Sequence, residues 1–143
     1  MTDCKLYRGS IFHCMEDRSN VKPVYFLDGL MVVREGKIVE VGEYSELSVK
    51  FSSGDPIVHF KDSLIMPGFI DSHIHYPQYK VISSYGTSLL EWLNKYTFVE
   101  EQKFSDIDYA ARVAELFLEE LLKNGTTTAM TFCTSHKQSV DVF

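Results

Sequence analysis

Apolar and polar positions change their rhythm once along the chain, near residue 62. Before that point the pattern is that of short strands. Residues 27–34 and 37–41 are β-branched, apolar runs joined by Glu35-Gly36, which predicts a hairpin because glycine takes positive φ without steric cost. Gly29 and Gly42 punctuate its two ends. Residues 52–56, Ser-Ser-Gly-Asp-Pro, read as a loop, and residues 57–60 alternate as a short strand before Lys61-Asp62. These elements predict a small β unit over roughly residues 1–62.

Beyond it the periods lengthen. Pro67-Gly68 opens residues 69–75, an extended and largely apolar run that suits a strand buried on both faces and ends at Pro77. Leu89, Trp92, Leu93 and Tyr96 stand at i, i+3, i+4 and i+7, predicting a short helix over 89–96. Ser105-Asp106-Ile107-Asp108 resembles a capping box, with Ser105 offering the capping oxygen and an acid three residues on. Ala110, Ala114, Phe117, Leu118 and Leu121 then mark the buried face of a long helix that stops at Asn124-Gly125. Residues 126–133 read as a second strand. Strand, helix and strand together predict parallel strands with a right-handed crossover. A closed barrel needs eight such units, typically about 250 residues. Residues 140–143 carry no helix stop, turn signal or polar tail, so the natural chain is expected to continue.

Composition narrows the partners. With 45% hydrophobic residues among 143, the chain can build a packed core. A net charge of −6 argues against a nucleic-acid surface, which would show clustered Lys and Arg. Three cysteines without a CxxC pair suggest neither a disulfide framework nor a cysteine metal site. A reducing cytoplasm is the expected compartment. The first ten residues lack the order of a signal peptide, and no apolar run approaches the ~20 residues of a membrane span.

The sharpest chemical feature is Asp71-Ser72-His73-Ile74-His75. Residues two apart on a strand share a face, so both imidazoles can converge on one ion while Ile74 faces the opposite, buried layer. From spacing alone a pair of solvated histidines is an equal reading. Position favours the metal: the pair ends an apolar strand that opens a strand–helix–strand unit, where barrel enzymes place their reactive groups.

Residues 66–75, Met-Pro-Gly-Phe-Ile-Asp-Ser-His-Ile-His, resemble the PGxIDxHxH signature of the amidohydrolase superfamily. The Gly36-Lys37-Ile38 turn resembles the strand pair that precedes it there. Leu89-Leu90-Glu91-Trp92-Leu93 through Thr97-Phe98, and Lys123-Asn124-Gly125-Thr126-Thr127-Thr128-Ala129, are similar to segments of the guanine deaminase family. The resemblance runs from about Gly29 to Phe143.

This resemblance implies an α/β fold: a metal-dependent (β/α)8 barrel, of which residues 66–143 hold the first strands, preceded by part of a small β-sandwich over residues 1–65. It implies zinc-dependent hydrolysis of guanine to xanthine and ammonia by a cytoplasmic homodimer. His73 and His75 take the place of metal ligands, and His75 and Gln78 that of substrate contacts. An amide suits the mixed donor and acceptor edge of guanine, although an exposed loop glutamine is the plainer reading of Gln78. Trp92, the sole tryptophan, is either a core anchor of its helix or a flat face beside the purine. His136 could line the mouth of the site or simply be solvated. His13 and His59, in the β unit, carry no signal.

The remaining ligands and the proton-carrying carboxylate are expected downstream of residue 143. A catalytic zinc normally has at least three protein ligands, so residues 1–143 alone are expected to be inactive. Two other readings stay open: a relative acting on another aminated or chlorinated heterocycle, such as a triazine or an adenosine derivative, and a non-catalytic protein of the same fold.

Overall fold

The computed structural model describes residues 4–17, 20–51 and 55–143. They form two compact units, Met1–Pro67 and Gly68–Phe143. The predicted loop falls partly outside these residues, at 52–54. No helix among the described residues is long and apolar enough to cross a membrane.

The first unit is a four-stranded sheet. Strands β1 (Cys4–Asp17), β2 (Asn20–Arg34), β3 (Lys37–Glu43) and β4 (Ile57–Ile65) lie in the order β3-β2-β1-β4. β2 pairs antiparallel with both neighbours, and β1 runs parallel to β4. The expected hairpin is present: Glu35 and Gly36 take φ of 50° and 74°, the left-handed pair of a two-residue turn whose twist matches the strands. Leu6, Leu30 and Val32 point to one face and meet Leu47 of the short helix α1 (Tyr44–Leu47) in a small core. Arg8 donates through Nε and Nη2 to the two carboxylate oxygens of Asp28, both at 2.7 Å, and its guanidinium lies 3.5 Å from the Tyr44 ring centroid.

The second unit contains the predicted strand–helix–strand. Strand β5 (Phe69–His75) pairs parallel with β6 (Thr126–Phe132). Between them run a 3₁₀ turn (Tyr76–Val81), α2 (Leu89–Trp92), a π turn (Leu93–Thr97), α3 (Phe98–Gln102) and the long α4 (Ile107–Lys123). A last short helix, α5 (Lys137–Asp141), follows β6. A β-carbon on Gly68 would collide with the Thr127 side chain, which explains glycine just before β5: only there can the two strands start so close together. Tyr76, Phe104, Ala110, Val113, Ala114 and Phe117 form the core, with Ile74 packed against it as expected.

Four local expectations change. The cap of α4 is Asp106, whose Oδ1 accepts from the N–H groups of Asp108 and Tyr109 at 2.9 and 3.4 Å; Ser105 instead donates its hydroxyl to the Gln102 carbonyl. The predicted helix over 89–96 is interrupted by the π turn and carried on by α3, because the wider turn takes up one extra residue that the 3.6-residue spacing does not register. On α4, Val113 lies inside while Leu118 is 40% exposed. Finally, β5 is not buried on both faces: Phe69 and Ile70 are 56% and 74% exposed, since β5 has a single strand neighbour here.

Candidate functional site

β5 delivers two imidazoles to one place. Its pairing with β6 passes from Asp71↔Ala129 to Ile74↔Thr131, so Ser72 and His73 stand opposite Met130 alone. Such a bulge re-aims the side chains beside it. Asp71 Oδ1 accepts the His73 backbone N–H at 3.0 Å, giving that amide a local partner where the ladder shifts. The Nε2 atoms of His73 and His75 then lie 3.2 Å apart, with ring centroids at 5.1 Å. Phe132, at the end of β6, sits 4.7 Å from both rings and stacks on His75 at 13°. His73 is exposed and His75 half-buried.

This geometry fits a metal. Two nitrogens bound to one tetrahedral zinc at ~2.0–2.1 Å would stand roughly 3.3 Å apart. Among the described residues, no group of three or more His, Cys, Asp or Glu is placed to hold an ion, so the pair is at most half of a coordination sphere.

Gln78 lies on the 3₁₀ turn that leaves β5, where buried Tyr76 and Pro77 hold the backbone. Its Nε2 donates to Glu101 Oε1 on α3 at 3.4 Å. Glu101, Phe98 and Gln102 in turn line an open pocket of about 240 Å³ with Thr134, Ser135 and His136, just past the C-terminal end of β6. The loop on that side is tied down by Ser139, which is fully buried. Its Oγ accepts from the Thr134 N–H at 3.0 Å and donates to the His136 carbonyl at 2.7 Å. Ser139's own carbonyl accepts from the Tyr76 hydroxyl at 2.6 Å. Burial pushes the Tyr76 pKa up to about 12, so the hydroxyl stays a donor.

The structure thus brings the His73 and His75 rings together, and it ties Gln78 to Glu101, which lines the pocket with His136. Trp92 is half-buried on α2, its Cβ against Gly86. α2 itself is capped by Ser88, whose Oγ accepts the Glu91 N–H at 3.2 Å. Sequence reasoning missed Phe132 and Glu101. The first left a faint signal: it ends the second parallel strand as His75 ends the first.

The amidohydrolase family profile matches residues 64–142. The chain is 39% identical to the guanine deaminase of Escherichia coli (strain K12) over 142 residues, 96% of this chain and 32% of that protein. The solved E. coli enzyme superposes with a TM-score of 0.84, at 38% identity over 96% of this chain and 33% of that one. The guanine deaminase of C. acetobutylicum, solved with guanine in its active site, gives 0.78 at 35% identity over 98% of this chain and 32% of that one. An adenosine deaminase from Xanthomonas campestris with bound zinc shares the fold at 0.74 and 23% identity, over 96% of this chain and 30% of that one. The chain therefore spans about a third of the length of the relatives it matches.

Proposed function

The chain belongs to the amidohydrolase family, and on that premise we propose that the whole protein hydrolyses guanine to xanthine and ammonia with a zinc ion held in part by His73 and His75. The observation that carries this reading is the convergence of the two Nε2 atoms, 3.2 Å apart, at the C-terminal end of β5. Guanine as substrate is supported by the similarity to the E. coli enzyme and to the guanine-bound relative.

A bound zinc would supply a water of lowered pKa, nucleophilic near neutral pH. This chain's own residues do the rest of what can be assigned to it. His73 and His75 hold their ring nitrogens towards one point, and Phe132 packs against both rings and limits their rotation. Gln78 offers the purine an amide carbonyl and an N–H. The barrel, the sandwich over residues 1–65 and the proton-carrying carboxylate belong to the same proposal, as does a cytoplasmic homodimer. Free thiols at Cys4, Cys14 and Cys133 suit a reducing compartment.

The test is ammonia release by the purified whole protein from a panel of guanine, adenosine, an aminotriazine and a chlorotriazine, with zinc measured on the same sample. Guanine turnover with stoichiometric zinc is the expected result. Preference for another ring would reassign the substrate, and absence of both zinc and turnover would make the protein a non-catalytic relative.

A further inference from the structure

Two acids stand side by side on α3, and the structure treats them differently. Glu100 is 6% exposed, whereas its neighbour Glu101 is half-buried and faces the 240 Å³ pocket. Burial opposes the charge on Glu100. The Lys103 ammonium, 2.6 Å from Oε2, and the Tyr109 hydroxyl, which donates to Oε1, outweigh burial and hold the carboxyl below the usual range. Lys80 donates to the same Tyr109 hydroxyl at 3.2 Å, and its ammonium lies 4.4 Å from the Tyr109 ring centroid. Lys80 and Gln78 sit on one 3₁₀ turn, Glu100 and Glu101 on one helix. Turn and helix are therefore joined twice, once through Lys80, Tyr109 and Glu100, and once through Gln78 and Glu101.

The second tie has a chemical consequence. A primary amide is nearly symmetric in shape, and either end could face a substrate. An ionised carboxylate only accepts, so it draws the NH2 end of Gln78 towards itself and rejects the carbonyl end. The Gln78 carbonyl and its second N–H are then left for a ligand. That free edge complements a ring carrying an N–H donor next to an acceptor nitrogen, and it has nothing to offer a chlorinated carbon.

We infer that Glu101 is a positioning residue that sets which end of the Gln78 amide meets the substrate, with the Glu100 cluster holding α3 in place for it. This rests on the proposed role of Gln78 in binding an aminated ring. Glu101→Gln keeps the shape but removes the preference, because an amide pairs with Gln78 either way round.

The experiment is steady-state kinetics of the whole protein on guanine for wild type, Glu101→Gln, Gln78→Ala and the double variant, with zinc content and melting temperature beside each. The expected result is a KM raised about three- to ten-fold in Glu101→Gln, with kcat within about two-fold and zinc retained, as for a lost binding orientation. In the double variant KM should equal that of Gln78→Ala, because the two residues act through one contact. Equal falls in kcat and zinc, an unchanged KM, or KM effects that multiply in the double variant would overturn the inference. If Glu101→Gln does not fold, Glu101→Lys decides: a donor at that position should turn the amide over and raise KM further, and a KM at the wild-type level would overturn the inference. Wild type without purine deamination would remove the functional reading and this inference with it. Wild-type turnover with a Glu101→Gln variant of normal KM removes only the inference.

Discussion

At the scale of single residues, the candidate metal pair combines one exposed ring with one half-buried ring, and this separates chemistry from stability. His73→Ala in the whole protein should lose zinc and at least about 10²-fold in activity, more than is usual for loss of a group that only hydrogen-bonds a ligand. Its melting temperature should fall no further than that of the zinc-free wild type, because the ring is exposed and its loss removes the metal's stabilisation rather than the core's. Metal analysis and a thermal melt on one sample check both halves; normal turnover with retained zinc would refute the ligand role. Asp71→Ala removes the acceptor of the His73 amide, a bond worth about 1 kcal/mol, and should loosen metal affinity with His73 itself intact. His73 and His75 were legible in the sequence because a strand repeats every two residues. Phe132 and Glu101 were not. Their relation to the site depends on the register of β6 and the placement of α3, which are 57 and 23 residues away along the chain from His75 and Gln78.

At the scale of elements, α4 shows how near a correct reading can lie to a wrong one. The sequence places a cap at residues 105–106, and the backbone selects Asp106, which takes extended φ and ψ of −86° and 116° while Ser105 closes a 3₁₀ turn. Asp106→Ala should cost about 1 kcal/mol and Ser105→Ala markedly less, read as a difference in melting temperature of the whole protein. The turn after β5 depends on Tyr76, whose hydroxyl donates to the Ser139 carbonyl. Tyr76→Phe should cost about 1–3 kcal/mol because the carbonyl it leaves is in a buried setting. Element type was readable wherever the apolar period was long. The π turn at Leu93–Thr97 was not, since its extra residue is accommodated by packing and leaves no signature in the 3.6 period.

At the scale of the whole molecule, two buried groups predict how stability responds to pH. Glu100 titrates below its ordinary 4.5 in the folded state, so its contribution is full above that value and is lost as pH falls through the lowered folded pKa. Tyr76 rises from 10 to about 12, so its contribution is full below pH 10 and is lost as pH rises towards 12. Chemical denaturation of wild type and Glu100→Gln from pH 3 to 6 should show the acid dependence weakened in the variant. Apolar side chains on β5 and β6 are left open here, among them Phe69, Ile70 and Met130. Residues 1–143 expressed alone should bind a hydrophobic dye, melt broadly and release no ammonia from guanine; turnover by that chain would contradict the proposal.

The sequence by itself determined the hairpin, the parallel strand–helix–strand unit, the two histidines on one strand and the family to which they belong. Each is encoded locally, in a period, a turn glycine or a short motif. Tertiary structure alone decided the 3.2 Å approach of the two imidazoles, the aromatic ring against them, the carboxylate that meets Gln78 and the different surroundings of Glu100 and Glu101. Those depend on where a bulge falls and how separate elements pack, and such distances between parts remote along the chain exist only once the chain has folded.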